Sequence, residues 1–167
     1  GEALLGIVRV LLGHSISADA GAAVSDASLS RLVALADEAA PPPKSHDRAD
    51  VMLFARAAME GVEEGFYSVR SINRQSRLIG QISRERLSAD MIRLLDAPFP
   101  TKGNAPDRAG ALQRRFAALA GLAAEHMVRT DAWRFHDLGR RVERALHGVR
   151  ILRAFGGAEM SDDDLSV

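Results

Sequence analysis

The chain has 167 residues, of which 22 are basic and 22 acidic, and it contains no cysteine. A chain of this length forms one domain of ~150 residues and leaves no room for a second of full size. The balanced charge excludes a general attraction to nucleic acid or to anionic membranes, and the lack of thiols excludes disulfides, thiolate metal sites and cysteine nucleophiles.

Alanine, leucine and arginine dominate the sequence and β-branched residues are sparse. Because these three residue types lose little free energy on entering a helix, we expect the chain to be nearly all helical. The first predicted helix covers residues 2–12, and a loop over residues 14–27 follows it. Asp26 or Ser28 then caps a second helix that runs through Ala39 and ends at a run of three prolines.

A long third helix is predicted to begin after the capping residue Asp47. Its apolar residues keep the helical period as far as Leu87, so we expect one continuous helix with a kink at its glycines. A break is expected near Ser88, which can cap a new turn. The sequence also predicts close approaches between helices at four glycines: Gly61, Gly65, Gly121 and Gly139.

Prolines, glycine and asparagine in residues 96–105 predict a loop, and Pro106 suits the first turn of a helix that reaches about Arg129. Thr130 or Asp131 caps the last helix. An apolar stripe with alternating spacings of three and four residues predicts a core-facing side for this helix: Phe135, Leu138, Val142, Ala145, Val149 and Leu152.

These elements predict an all-α fold, an up-and-down bundle of six or seven helices with short connections. We expect a single domain over residues 1–157, cut from a longer chain, and a disordered acidic tail over residues 158–167. No apolar run approaches the ~20 residues of a membrane span, and the N-terminus has no signal-peptide pattern. A cytoplasmic location is therefore expected.

The last helix also carries two polar flanks. The first lies opposite the apolar stripe and consists of His136, Arg140, Glu143 and His147, and the second consists of Arg134, Asp137, Arg141 and Arg144. Spacings of three and four residues place each set on one side of a helix. The simplest interpretation is a solvated face with ion pairs that contribute a few tenths of a kcal/mol each.

The amino-acid sequence of this region resembles that of the alpha-E domain family of bacteria, an all-helical family. The matching positions are Glu125, Met127, Arg129, Trp133-Arg134-Phe135, Leu138-Gly139-Arg140 and Glu143-Arg144-Ala145. A weaker match covers residues 86–90 and Arg93. So many positions at fixed spacing make this a specific signal.

The resemblance covers residues 51–157. Two positions depart from it, since Ile92 replaces a usual tryptophan and His126 a common asparagine. The chain also lacks the N-terminal copy of the Leu-Gly-Arg and Glu-Arg-Ala pattern that family members carry, which again predicts a piece of a longer protein.

The family resemblance implies a biological context but no established reaction. Similar domains occur beside, or fused behind, circularly permuted ATP-grasp proteins, often near transglutaminase-like peptidases, and this sequence most resembles the type fused C-terminal to such a protein. It therefore implies an accessory domain of a system that forms peptide or amide bonds, with the ATP-grasp module as its partner in cis or in trans. Any ATP would bind to that module, because the chain has no phosphate-binding glycine loop, and no cofactor is expected on this domain.

Arg134, Arg140 and Arg144 recur on one helix, which suggests that this region binds a partner or an anionic substrate such as a peptide. The candidate binding residues are Arg129, Trp133, Arg134, Arg140, Glu143 and Arg144. Arginine suits this role because its planar guanidinium pairs well with carboxylates and phosphates. A second hypothesis is a buried Glu143 held between Arg140 and Arg144, which would fix helix register. A third is catalysis, in which Glu125 or Glu143 acts as a general acid or base.

The sequence also bears on two further roles, metal binding and a purely structural one. Glu143 and His147 are four residues apart and share a flank with His136, but the chain lacks the paired Glu-x-x-His motif of di-iron bundles, so no metal site is predicted. The remaining alternative is a purely structural module that forms a homodimer. Burial separates the hypotheses, because a binding or catalytic cluster lines an open pocket and a structural one is sealed between helices.

Overall fold

The computed structural model describes residues 2–14, 25–45 and 47–156. Within them the chain forms helices and no β-strand: α1 (Glu2–His14), α2 (Asp26–Leu35), α3 (Arg48–Glu60), α4 (Val69–Ile82), a 3₁₀ turn (Arg84–Arg86), α5 (Ala89–Asp96), α6 (Ala105–His126) and α7 (Asp131–Phe155). The predicted all-α bundle of six or seven helices is confirmed. Most of the predicted first loop and the predicted acidic tail lie outside the described residues.

None of the described helices is both long and apolar enough to cross a bilayer. Polar side chains start most of them. Asp47 accepts a hydrogen bond from the Asp50 amide at the start of α3, as predicted, and this bond lowers the pKa of Asp47 below its ordinary value. The predicted caps of α2 are wrong, because Ser25 is the residue that accepts from the Ser28 amide. Ser28 itself is buried in the first turn.

The long helix predicted from residue 47 to Leu87 is in fact two helices. α3 ends at Gly61, and an extended segment with a left-handed Gly65 (φ 86°) leads to α4. The Ser68 hydroxyl donates to the Gly61 carbonyl at 2.6 Å and accepts from the Ser71 amide, so one side chain both closes the connection and caps α4. One backbone carbonyl and one backbone amide at the break are thereby satisfied.

The hydrophobic core is built around α1, which packs against α2, α3 and α6. The apolar side of α1 is buried almost completely, with Leu5, Val8 and Leu11 at 0% exposure. Two polar contacts on its periphery tie neighbouring helices together: Arg108 of α6 lies 2.6 Å from Glu60 of α3, and Arg9 of α1 donates to Gln113 of α6 at 2.7 Å. None of the buried residues of this core belongs to α7.

α7 is the clearest departure from the sequence prediction. None of its residues is buried, and its apolar stripe is exposed to solvent, with Phe135 at 74%, Leu138 at 56% and Leu152 at 69%. The helix packs mainly against α2. The stripe was expected to face the core, but α1 occupies the centre of the bundle, so the opposite and polar side of α7 turns inward.

The glycine prediction is also wrong, since a Cβ at Gly61 would lie nearest the Ala57 backbone of its own helix and one at Gly65 would meet nothing within 4 Å. Gly121 and Gly139 have no neighbouring group within 4 Å of where a Cβ would lie. The close approach instead occurs at Gly80 of α4, where a Cβ would lie 2.7 Å from the Leu95 Cδ1 of α5. Gly80 is therefore the residue that lets α5 pack tightly on α4.

The burial pattern predicts which leucines stabilise the fold. Leu112 of α6 is 0% exposed and Leu53 of α3 is 63% exposed. Leu112→Ala should lower the free energy of unfolding by about 2–5 kcal/mol because it leaves a cavity in the core. The matched Leu53→Ala variant should stay within about 0.5 kcal/mol of the parent. Urea denaturation measures both, and equal losses would contradict the placement of α1 and α6 at the centre.

Candidate functional site

A cleft of about 560 Å³ lies between α7 and the helices α4, α5 and α6. Its floor is apolar and comes from Ile72, Ile79, Met91, Leu95, Phe116 and Leu119. Short residues on the same wall, Gly80, Ala120 and Ala123, leave room between the helices. The site is thus a half-open groove with an apolar floor, a common form for a ligand site.

The polar side of α7 forms the other wall. Its lining residues are Ala132, His136, Arg140, Glu143, Arg144 and His147. Intervals of three and four residues bring the first predicted flank to one side of the helix, and that whole flank lines the cleft. The regular rise of α7 spaces these side chains along the groove at about 5–6 Å intervals.

Positive charge dominates the cleft. Arg140 and Arg144 extend from α7, and Arg86 comes from the 3₁₀ turn between α4 and α5, against the single carboxylate of Glu143. Three arginines that line an apolar groove favour an anion with an apolar body, because each guanidinium can donate paired hydrogen bonds to a carboxylate or phosphate.

Glu143 is exposed, in contrast to the hypothesis of a buried acid held by two arginines. The cluster lines an open cleft and is not sealed between helices. The structural role that the sequence suggested for it therefore loses its premise, since that role required burial. An open position leaves Glu143 accessible to a bound ligand.

Two histidines share the wall with these charges. Desolvation lowers the pKa of His136 below its ordinary value, the positive charge of Arg140 lowers it further, and Asp137 opposes the change. His136 therefore acts near neutral pH as an uncharged donor or acceptor of hydrogen bonds. Within the part of the chain that the structure describes, no three His, Asp or Glu side chains are grouped in a way that could hold a metal ion.

Four of the residues nominated from the sequence lie away from the cleft. The Arg129 guanidinium stacks on the Trp133 ring at 5.5 Å from its centroid, just before and at the start of α7. Arg134 is exposed and lies 3.7 Å from Asp131. Glu125 lines a separate shallow depression between α5 and α6. The residues that match the family pattern therefore fall into two groups, one that lines the cleft and one around the start of α7.

Sequence reasoning missed Arg86 and the hydroxyls of Ser76 and Ser83, which line the opposite wall. Ser76 donates to the Ile72 carbonyl within α4 at 2.9 Å. One signal could have found Arg86: the dipeptide Glu85-Arg86 repeats Glu143-Arg144, and each of the two dipeptides contributes to the cleft.

Contacts near the C-terminal end of α7 hold it to the bundle. Arg150 donates to the Glu38 carboxylate at 2.6 Å, a bond that raises the pKa of Arg150. The Arg31 guanidinium of α2 lies 5.8 Å from the centroid of the Phe155 ring. These contacts anchor α7 beyond the cleft and set its direction across the groove.

The comparison with known families agrees with this architecture. A family model, Alpha-E, described as "A predicted alpha-helical domain with a conserved ER motif", matches residues 2–166. The matched range is wider than the stretch from residue 51 to 157 over which the resemblance was noted. No significant match is found among curated proteins or among solved structures.

The electrostatics of the cleft can be tested at His136. Arg140→Gln should raise the pKa of His136, because it removes a neighbouring positive charge, and Asp137→Asn should lower it. The folded protein binds a proton at His136 less tightly than the unfolded chain does. Protonation of His136 below pH ~6.5 should therefore lower the free energy of unfolding. NMR titration of the imidazole measures both variants, and shifts of the opposite sign would contradict the described geometry.

Proposed function

The chain belongs to the Alpha-E family, and we propose that it is an accessory helical domain whose cleft binds an anionic ligand with an apolar body. The observation that carries the proposal is that Arg86, Arg140 and Arg144 line one apolar groove together with one carboxylate, that of Glu143. A peptide with a free carboxylate fits this chemistry, because its side chains would cover the floor and its carboxylate would meet the guanidinium groups.

The proposed context is a system that forms peptide or amide bonds with a circularly permuted ATP-grasp module as partner, in cis or in trans. ATP would bind to that module, which would activate a carboxylate. The helical domain would hold a peptide substrate or product, and its arginines would orient the carboxylate. The support for this context is the family resemblance of the sequence, together with a cleft whose charge and floor suit such a peptide.

The length of the cleft agrees with a short peptide. Cleft residues of α7 run from Ala132 to His147, about 22 Å along the helix at 1.5 Å per residue. An extended chain covers about 3.3 Å per residue, so a peptide of several residues would span the groove. Its carboxylate would lie toward Arg140 and Arg144.

Binding can be measured by isothermal titration with acetyl-alanyl-leucine as the probe. Arg140→Gln should weaken binding by roughly 10- to 100-fold, the effect of losing a charged hydrogen bond of about 1.5–3 kcal/mol. Arg141→Gln is the matched control, because Arg141 lies next in sequence but pairs with Asp137 outside the cleft at 2.8 Å.

Two further results would refute an anion site in the cleft. One is equal affinity for the peptide and for its C-terminal amide, since the amide carries no charge. The other is an equal loss in the Arg140→Gln and Arg141→Gln variants, because a general effect of helix charge would act on both.

A second candidate function is acid–base catalysis by the domain itself. Of the two nominated glutamates, only Glu143 shares the cleft with Arg140 and the histidines, so the geometry favours it over Glu125. Glu143 would give or take a proton at a ligand whose anionic group Arg140 holds.

Glu143→Gln separates the two candidates. In an amide-formation assay with a circularly permuted ATP-grasp module, the variant should leave the rate unchanged if the domain only binds. A catalytic role would instead lower the rate by about 10²–10⁴-fold. Arg140→Gln should slow the reaction under either candidate, and recovery at high peptide concentration would identify its effect as one on binding.

A further inference from the structure

The outer side of α7 exposes a continuous apolar strip on the face opposite the cleft. Along it lie Phe135 (74% exposed), Leu138 (56%), Val142 (49%), Val149 (51%) and Leu152 (69%), with exposed Ala145 between them. We call these six residues the α7 seam. Contiguous apolar surface of this kind is rare on a soluble protein unless it contacts a partner.

The spacing of the seam identifies the shape of that partner. Its residues alternate at intervals of three and four from Phe135 to Leu152, which is the a and d pattern of a coiled coil. The strip is about 25 Å long at 1.5 Å per residue. A narrow strip with this repeat fits the complementary side of one other helix, and the small Ala145 near its middle allows the two backbones to come close.

The charges beside the seam identify the chemistry of the partner. The positions that flank a and d residues in a helix pair hold Arg134, Arg141 and Arg153 and no acidic residue. Arg134 and Arg141 contact aspartates of their own helix, yet 76% of each side chain remains exposed. A facing helix with glutamates at its flanking positions would pair with these three guanidinium groups.

We propose that the α7 seam is the docking site for an amphipathic helix with acidic flanks, supplied by a partner protein. Docking would bury the apolar residues of the seam and place the acidic side chains of the partner helix next to Arg134, Arg141 and Arg153. The surface is distinct from the cleft, because seam and cleft residues lie on opposite sides of α7. The proposal therefore does not depend on what the cleft binds.

Two other occupants fit the seam less well. A second copy of α7 would bring only arginine, glycine and leucine to the flanking positions, so the arginines would meet no acid. An anionic bilayer would meet the arginines, but a helix that inserts into a membrane surface buries a broad apolar face. The seam follows the a and d repeat of a coiled coil, and Leu146 (61% exposed) is the one large apolar residue at a flanking position.

The test uses a 21-residue helical peptide with leucine at a and d and glutamate at e and g, and a matched peptide with lysine in place of glutamate. Fluorescence anisotropy should show that the acidic peptide binds, and that the basic peptide binds at least about tenfold more weakly. Val142→Asp should abolish binding, whereas Ile82→Asp, at an 86% exposed position on α4, should leave it unchanged.

Arg141→Glu provides a second variant that does not alter the apolar surface. It should weaken binding of the acidic peptide and strengthen binding of the basic one, which a merely misfolded protein would not do. Circular dichroism of each variant verifies the helix content.

Four results of the peptide-binding and sedimentation experiments would overturn the proposal. They are failure to bind the acidic peptide, equal affinity for both peptides, binding that survives Val142→Asp, and self-association in sedimentation equilibrium that Val142→Asp abolishes. The last would assign the seam to a second copy. Binding to vesicles of phosphatidylglycerol and phosphatidylcholine without peptide binding would assign it to a membrane surface and would equally overturn the proposal.

Discussion

The burial of α1 is the constraint on which the rest of the structure depends. Its apolar side is closed off by α2, α3 and α6, and since buried apolar area is the main source of stability, these four helices form the stable unit. α4 and α5 extend this unit by packing on α3 and α6. Because α1 fills the centre, α7 lies across the surface with no buried residue. The space beneath α7 is the cleft.

This position gives α7 two distinct sides. One presents arginines, histidines and Glu143 to the cleft, and the other presents the α7 seam to solvent. Because the contacts with Glu38 and with Arg31 hold the helix near its C-terminal end, a helix docked on the seam would restrict the rest of α7.

The two Glu-Arg dipeptides, Glu85-Arg86 and Glu143-Arg144, both contribute to the cleft. Arg86 and Arg144 reach the same groove from different elements, one from a 3₁₀ turn and one from a long helix. The 3₁₀ turn before Ser88 places Arg86 at the edge of the wall that α4 and α5 form. In the proposed anion site, the two Glu-Arg dipeptides would supply one arginine to each of the facing walls.

The sequence alone determined the helical nature of the chain, several capping residues such as Asp47 and Ser88, and the grouping of His136, Arg140, Glu143 and His147 on one side of α7. These features are local, since they follow from helix propensity, capping chemistry and the helical period. The break at Gly61 was hidden because the apolar period continues across it. Which side of α7 faces inward, and the arrival of Arg86 opposite it, were decided only by the tertiary structure. Periodicity shows that a helix has an apolar side, but competition among helices for the core decides whether that side is buried.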